Sequence, residues 1–452
     1  MTKLYAGGRI RTLRRSHGLT QAQMARRVNL STSYLNQLEN DQRPLTVPVL
    51  LTLTRTFGVP AEHFSGDAET HTAAQLADAL PSINPTELTD LATRHPDIAH
   101  AILTKLNPPA SPHPQPYEAV QDFFYQHRNY FPDLDADAED FAARLGDPPL
   151  RLSRLAAAID THLGVSVRFT GSATGPRRHL DRDAGVLTLR RDLREAQMCF
   201  ELALVLALET RTTLIDAAIA ELHDPQAREV ARLGMAQYHA AAVTMPYTAF
   251  RDRAEELHYD IELLSRHYGG GFEATCQRLS TLQRPGREGV PLFFVRTDRA
   301  GNISKRQSST AFHVPRGGGS CPLWIIHRAF ENPGSIVRQV AVMPDGRSYL
   351  WIARTVTEPA GGFGQPQKEF AVGLGCDLHQ AHRLVYSRGL DLTGQSSTPI
   401  GPGCRACSRP LCPQRAFPQS GHRVVVSFSS SAPGPYATAT AAAADPGAPV
   451  VR

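Results

Sequence analysis

The stretch Leu19–Asn40, LTQAQMARRVNLSTSYLNQLEN, decides how the chain is read. Thr20 is a good N-cap, and Met24, Ala25 and Val28 fall on one stripe of a short amphipathic helix ending near Asn29. Ser31 caps a second helix, with Leu35 and Leu38 inside and Thr32, Ser33, Asn36, Gln37 and Asn40 outside. Two short helices joined by a tight turn, the second rich in small hydroxyls and amides, can lay hydrogen-bonding groups against base edges in a major groove. Charge agrees with this reading. Residues 1 to 60 hold nine Lys and Arg against Glu39 and Asp41, a net +7, whereas the whole chain carries only +5. The positive charge is concentrated where phosphates would be met.

Working outward, a first helix covers Ala6 to Ser16, another covers Val47 to Phe57, and Gly66 closes a DNA-binding domain over 1–66. At roughly 150 residues per domain, 452 residues imply about three domains. Residues 67–116 read as helical patches, TAAQLADAL and DIAHAILTKL, followed by the Pro-rich linker NPPASPHPQP. Residues 117–288 are mainly helical, with a strand pair, VSVRFT and GVLTLR, around a polar loop from Gly175 to Asp183, then a buried helix in CFELALVLALET. Residues 289–426 alternate short apolar runs with turn residues, as an α+β, strand-rich domain does. The tail 427–452 is Ala, Ser, Pro and Gly with almost no charge and reads as disordered. No run of about 18 apolar residues appears and the N-terminus lacks an apolar stretch, so a cytoplasmic protein with no membrane contact is expected.

Seven cysteines suit metal or redox chemistry better than a disulfide framework. Cys376, Cys404, Cys407 and Cys412 have the spacing C-x27-C-x2-C-x4-C, in which the C-x2-C pair turns two thiolates toward one centre. A structural zinc and an iron-sulfur cluster both fit this inventory. Cys412-Pro413 resembles the dipeptide that often follows a cluster ligand, and Gly375 and Gly403 leave backbone amides for sulfides. Arg405, Arg409 and Arg415 flank the thiols, Cys199, Cys276 and Cys321 read as single thiols, and His379 and His382 are substitute ligands.

Three resemblances add to this. With T-Q-x-x-[LM]-A and Q-L-E-N in register, about residues 6 to 65 resemble the Xre/Cro/phage-repressor family. The resemblance implies that Thr32, Ser33, Asn36 and Gln37 read bases, that Gln21 and Asn40 hold phosphates, and that Arg43 belongs to the DNA-binding set. CFELALVLALET resembles the core helix of the IrrE/ImmA metallopeptidase-like domain, whose H-E-x-x-H residues fall here on Leu204, Val205 and Leu208, with a third ligand position near Leu233. Leucine neither ligates zinc nor moves a proton, so a degenerate, non-enzymatic domain is expected. CPLW, QVAVMPDG, WIARTV, VGLGCD, TPIGPGCR and CPQRAFP resemble the short-chain fatty acyl transcriptional regulators, a RamB/PrpR-like family. That resemblance implies control by an acyl-CoA, regulation of short-chain fatty acid or central carbon genes, and a 4Fe-4S cluster rather than zinc on the four cysteines. Arg168, Tyr247, Lys305 and Arg306 are the effector-binding candidates, because a CoA thioester needs basic groups beside an aromatic wall. A homodimer on a double-stranded DNA operator is expected, since one such unit covers a half-site. The competing readings are a zinc metallopeptidase that cleaves a repressor, and a structural zinc or protein-interaction module with DNA binding.

Overall fold

The structure is a computed structural model that describes residues 6–59, 64, 67–80, 83–106, 116–146, 148–171, 175–312, 314, 319–358, 363–410, 412–420, 422, 424–426 and 437–438. It has two compact units: Met1–Ala110 with Ala311–Gly318 and Gly401–Arg452, and Ser111–Thr310 with Gly319–Ile400.

In the first unit, α1 (Gly7–Ser16), α2 (Gln21–Arg27), α3 (Thr32–Glu39) and α4 (Val47–Phe57) close over Ile10, Met24, Leu35, Leu38, Leu53 and Phe64. The Thr20 hydroxyl accepts from the Gln23 N–H, and the Gln23 side chain accepts from the Thr20 N–H, a reciprocal cap that starts α2. Ser31 accepts from the Tyr34 N–H and starts α3. A second helical cluster, α5 (Asp67–Ala79), α6 (Pro85–Arg94) and α7 (Pro96–Leu106), buries Leu76, Leu88, Ala92 and Ala99. The sequence reading missed α6, although Asn84 caps it and Pro85 occupies its first turn. Nine residues of the linker, 107–115, lie outside the described residues.

The second unit begins with α8 (Pro116–Gln126), α9 (Pro132–Leu145) and α10 (Arg151–Leu163). Strands β1 (Ser166–Thr170), β2 (Arg178–Asp181) and β3 (Val186–Arg190) follow, with β3 central, parallel to β1 and antiparallel to β2. The loop expected from Gly175 to Asp183 therefore contains a strand. Next come α11 (Glu195–Thr210), α12 (Thr212–Ala218) and α13 (Pro225–Thr244), and α11 is buried continuously from Glu201 to Ala207 because α9, α10 and α13 share its core. Helices α14 (Tyr247–Glu256), α15 (Ile261–Tyr268) and α16 (Phe272–Leu279) pack on a six-stranded sheet. Its strands are β4 (Phe293–Thr297), β5 (Ile303–Ser308), β6 (Val337–Val342), β7 (Ser348–Glu358), β8 (Lys368–Asp377) and β9 (Thr398–Pro399), in the order β5-β4-β8-β7-β6-β9. Within the apolar run CPLWIIHRAF lies a one-turn helix, α17 (Ile325–Arg328), with Trp324, Ile325 and Ile326 buried.

The boundary drawn at 288/289 is not a break in this structure. Phe250, Ile261, Leu264 and Leu279 share one core with Phe294, Leu350, Ile352, Val372 and Leu374. The change from helical to alternating periodicity marks a change of element type inside one unit. In the tail, Ala437–Thr438 (β11) pairs antiparallel with Val424–Val425 (β10), so those two residues are ordered into a ladder. The rest of the expected disordered segment lies outside the described residues.

Candidate DNA interface and effector cavity

Helix α3 presents Thr32, Ser33, Asn36 and Asn40 as exposed side chains, with Gln37 half-buried and Arg43 exposed beyond its end. Beneath them lies a polar network. Glu39 is only 3% exposed, and both its oxygens accept from Arg14, at 2.7 and 3.0 Å. Those bonds to Glu39 hold the Arg14 guanidinium above its usual range despite partial burial. The Gln21 amide donates to Glu39 at 3.0 Å and to Asn36 Oδ1 at 3.1 Å. Asn40 donates to Asn36 and accepts from Arg11 at 2.6 Å, while Arg43 lies over the Tyr34 ring at 5.8 Å. Gln21, Asn36 and Asn40, assigned separately from the sequence, thus form one hydrogen-bonded set whose orientation Glu39 fixes. Sequence reasoning missed Arg11, Arg14 and Glu39. The signal was a single acidic residue on an otherwise uncharged helix. The network also tempers the charge argument, because Arg9 is buried and Arg14 is neutralised by Glu39, leaving Arg15, Arg26, Arg27, Arg43 and Arg55 as the exposed cations among the described residues.

In the second unit, α8, α13, the end of α16 and β5 line an open cavity of about 250 Å³. Tyr117, Phe124 and Tyr238 supply aromatic walls, Val230 and Leu233 apolar ones, and Lys305, Arg306 and Arg278 the positive charge. Of the four effector candidates, Lys305 and Arg306 line this cavity, and the Lys305 ammonium lies 3.2 Å from Glu273. Arg168 is exposed on β1 and is not among the lining residues. Tyr247 is fully buried. Its hydroxyl donates to the Arg287 carbonyl and accepts from the Arg284 N–H, and its ring lies 4.1 Å beneath the Arg284 guanidinium. Burial pushes its phenol up to about 12. Tyr247 is a core residue because both capacities of its hydroxyl are used internally.

One cavity residue belongs to a buried charge cluster. Arg278, 1% exposed, pairs with the fully buried Asp135 at 2.8 Å and also donates to the Met245 carbonyl and to Thr281 Oγ1. Arg284 lies 3.6 Å from the other Asp135 oxygen and pairs with Glu139 at 2.7 Å. Two residues beyond Asp135 along α9, Asp137 accepts from His239 at 2.7 Å and from Arg211 at 2.8 Å. The bond from His239, with that from Arg211, pulls its carboxyl down to about 2.

The four cysteines divide between the units. Cys404, Cys407 and Cys412 lie in the first unit on a loop wound around Arg415, which is 4% exposed and donates to the carbonyls of Cys404, Cys407 and Arg409 at 2.9, 3.0 and 2.6 Å. The Ala416 N–H donates to Cys404 Sγ at 3.3 Å, and burial pushes the Cys407 thiol up. Gly401 must lack a side chain, because a Cβ there would stand 2.5 Å from Cys407 Sγ. Cys376 belongs to the second unit, fully buried on β8 among apolar side chains that drive its thiol pKa up. Gly375 was expected to serve sulfides, but the Phe293 ring fills its Cβ position. Arg415 likewise binds backbone carbonyls instead of solvent, and Arg405 stacks over Phe417 at 4.9 Å. Among the described residues, no three His, Cys, Asp or Glu side chains are grouped to hold a metal, so the cysteine-ligated centre expected from the spacing is not displayed. Cys199, Cys276 and Cys321 are buried single thiols.

Leu204 and Val205 are buried in the core of α11, Leu208 is half-buried against it, and Leu233 is 43% exposed at the cavity. None carries a donor for zinc. Residues 281–436 match the family described as short-chain fatty acyl coenzyme A regulator, C-terminal. Residues 161–280 match the IrrE N-terminal-like domain and residues 10–64 a helix-turn-helix. The HTH-type transcriptional regulator PrpR of Mycobacterium tuberculosis is 44% identical over 97% of this chain and 96% of its own length. RamB of the same organism is 42% identical over 96% and 99%. A propionyl-CoA carboxylase regulator of Cereibacter sphaeroides is 39% identical over 94% and 96%. A solved structure described as a Mycobacterium tuberculosis transcriptional regulator is 48% identical, covers 72% of this chain and all of its own, and superposes with a TM-score of 0.69. The chain belongs to the short-chain fatty acyl-CoA regulator family of helix-turn-helix transcriptional regulators, the RamB/PrpR-like group.

Proposed function

We propose that this regulator works in the cytoplasm as a homodimer, reads a two-fold operator with Thr32, Ser33, Asn36 and Gln37, and is controlled by a short-chain acyl-CoA. Its genes then belong to short-chain fatty acid or central carbon metabolism. The observation that carries the effector reading is the α8–α13–β5 cavity, where Lys305 and Arg306 stand beside an aromatic and aliphatic wall. About 250 Å³ lies just below the range of roughly 300–1,000 Å³ for drug-sized ligands, a size for the acyl-pantetheine end with the nucleotide phosphates left to the basic residues. Arg168 and Tyr247 lie outside that lining and keep no effector role in this reading. Titration of the full chain with propionyl-CoA should give saturable heat, lost when Lys305 and Arg306 are both replaced by Ala. No heat with the wild-type chain would overturn the effector assignment.

The same reading gives the cysteine loop a 4Fe-4S cluster. The loop's donor chemistry suits thiolate sulfur: Cys404 already accepts an N–H, and the Arg415 cation sits inside the turn. When bound, such a cluster supplies a one-electron, oxygen-sensitive centre. Cys404, Cys407 and Cys412 would supply thiolates to it, and Arg415 would keep the loop's backbone turned so that these three sulfurs stay together. Zinc on the same thiols is the alternative, and metal analysis of anaerobically purified protein distinguishes them.

A further inference from the structure

Helix α13 offers the cavity one face: Val230, Leu233, Gly234, Gln237, Tyr238 and Ala241, at helical spacing. Gly234 is the one glycine in this 20-residue helix. Its backbone does not call for glycine, since its φ is outside the left-handed region, and glycine inside a helix is less stable than alanine. The space around it does call for one. A Cβ at Gly234 would stand 3.2 and 3.3 Å from two ring carbons of Phe124, closer than ordinary van der Waals contact. Phe124 comes from the facing helix α8 and also lines the cavity. Its ring is braced edge-on by Phe123 at 5.8 Å and Phe131 at 5.3 Å, both on the side of the helical core. A ring pushed off α13 therefore yields into the cavity.

We infer that Gly234, acting through Phe124, sets the length of the acyl chain the regulator accepts: the missing methyl keeps the ring against α13 and leaves the apolar end of the cavity open. This inference rests on the acyl-CoA reading of the cavity and assigns its selectivity to one position. Gly234→Ala tilts selectivity toward shorter chains. Phe124→Leu, which shortens the opposing side chain, tilts it toward longer ones. One methylene in an apolar pocket discriminates by roughly tenfold or more, which sets the size of both effects.

The full chain and the variants Gly234→Ala, Phe124→Leu and the double variant are titrated by calorimetry with acetyl-, propionyl- and butyryl-CoA and with CoA itself. The expected result is a roughly tenfold loss of butyryl-CoA affinity relative to acetyl-CoA in Gly234→Ala, with CoA unchanged, the opposite tilt in Phe124→Leu, and restored butyryl-CoA binding in the double variant. If the wild type binds the thioesters and Gly234→Ala weakens all three by one common factor, or none, the assignment of Gly234 falls while the cavity reading stands. A wild-type chain that binds no thioester overturns both. Should Gly234→Ala lose its circular dichroism signature, Phe124→Leu decides alone: unaltered chain-length preference overturns the inference.

Discussion

Replacing Asp135 by Asn removes one charge from a buried pair with almost no change in volume. Arg278 keeps the Met245 carbonyl and Thr281 Oγ1, both neutral acceptors, but loses the carboxylate 2.8 Å away. Arg284 keeps Glu139 and solvent access, so the uncompensated cation is Arg278 alone. Breaking one side of a fully buried ion pair costs about 3–5 kcal/mol, because the remaining charge stays out of water without its partner. The assay is built into the chain. Its two tryptophans, Trp324 and Trp351, are fully buried 5.3 Å apart in the same unit as the pair, so their fluorescence reports the unfolding of that unit. With an m-value of about 3 kcal/mol/M in urea, the variant's midpoint falls by roughly 1–1.7 M. Replacing both partners, Asp135→Leu with Arg278→Met, removes the charges together and places a thioether between Tyr238 and Tyr247, whose rings each lie 5.8 Å from the guanidinium. That double variant should be more stable than Asp135→Asn. A midpoint for Asp135→Asn within about 0.3 M of wild type, or a double variant below the single one, refutes the argument.

Asn36→Ala and Gln37→Ala should each weaken binding to an operator selected from randomised duplexes by about 1–3 kcal/mol while binding to bulk DNA changes little; equal losses on both would move these residues from base reading to phosphate contact. Asp137, held near 2 in the folded chain, contributes stability that is complete above the ordinary aspartate value and disappears as pH falls through about 2; with its side chain 30% exposed the contribution is about 2 kcal/mol. Tryptophan-detected unfolding of Asp137→Asn should therefore show a smaller loss of stability between about pH 4 and pH 2 than wild type, and parallel curves would contradict it. Anaerobically purified protein should be brown and contain iron, and Ser at any of Cys404, Cys407 or Cys412 should remove the colour that Cys199→Ser and Cys276→Ser retain; colourless, zinc-containing protein would assign the thiols to zinc.

The DNA-binding fold was legible because its signals are local. Thr20 and Ser31 cap helices within three residues of themselves, and Met24, Leu35 and Leu38 occupy the buried stripe that their spacing demands. The runs that hold β4 to β7 were read as strand-rich, whereas β8 and β9 went unread as strands, and β2 and α6 were lost in polar surroundings that carry little periodicity. The cavity was only half legible. Lys305 and Arg306 stood out as cations on a strand, but their facing walls come from α8 and α13, far away along the chain. Gly234 matters for an atom it lacks, which no pattern of hydrophobicity records. A sequence cannot show that the Tyr247 hydroxyl is already paired on both sides within the core. Apolar Val230 and Leu233, exposed on α13, were the readable clue to the cavity's apolar wall.

Arg415 holds the cysteine loop by backbone carbonyls, those of Cys404, Cys407, Arg409 and Phe417. The identities of the residues between Cys404 and Arg415 can therefore drift without loosening that grip, while the number of residues between the gripped carbonyls cannot. A homologous regulator should tolerate substitutions at positions such as Ser408 or Pro410 far better than an insertion or deletion of one residue between Cys404 and Arg409. Replacing Arg415 itself should release the whole turn at once, because no other residue type carries so many donors in a fixed plane.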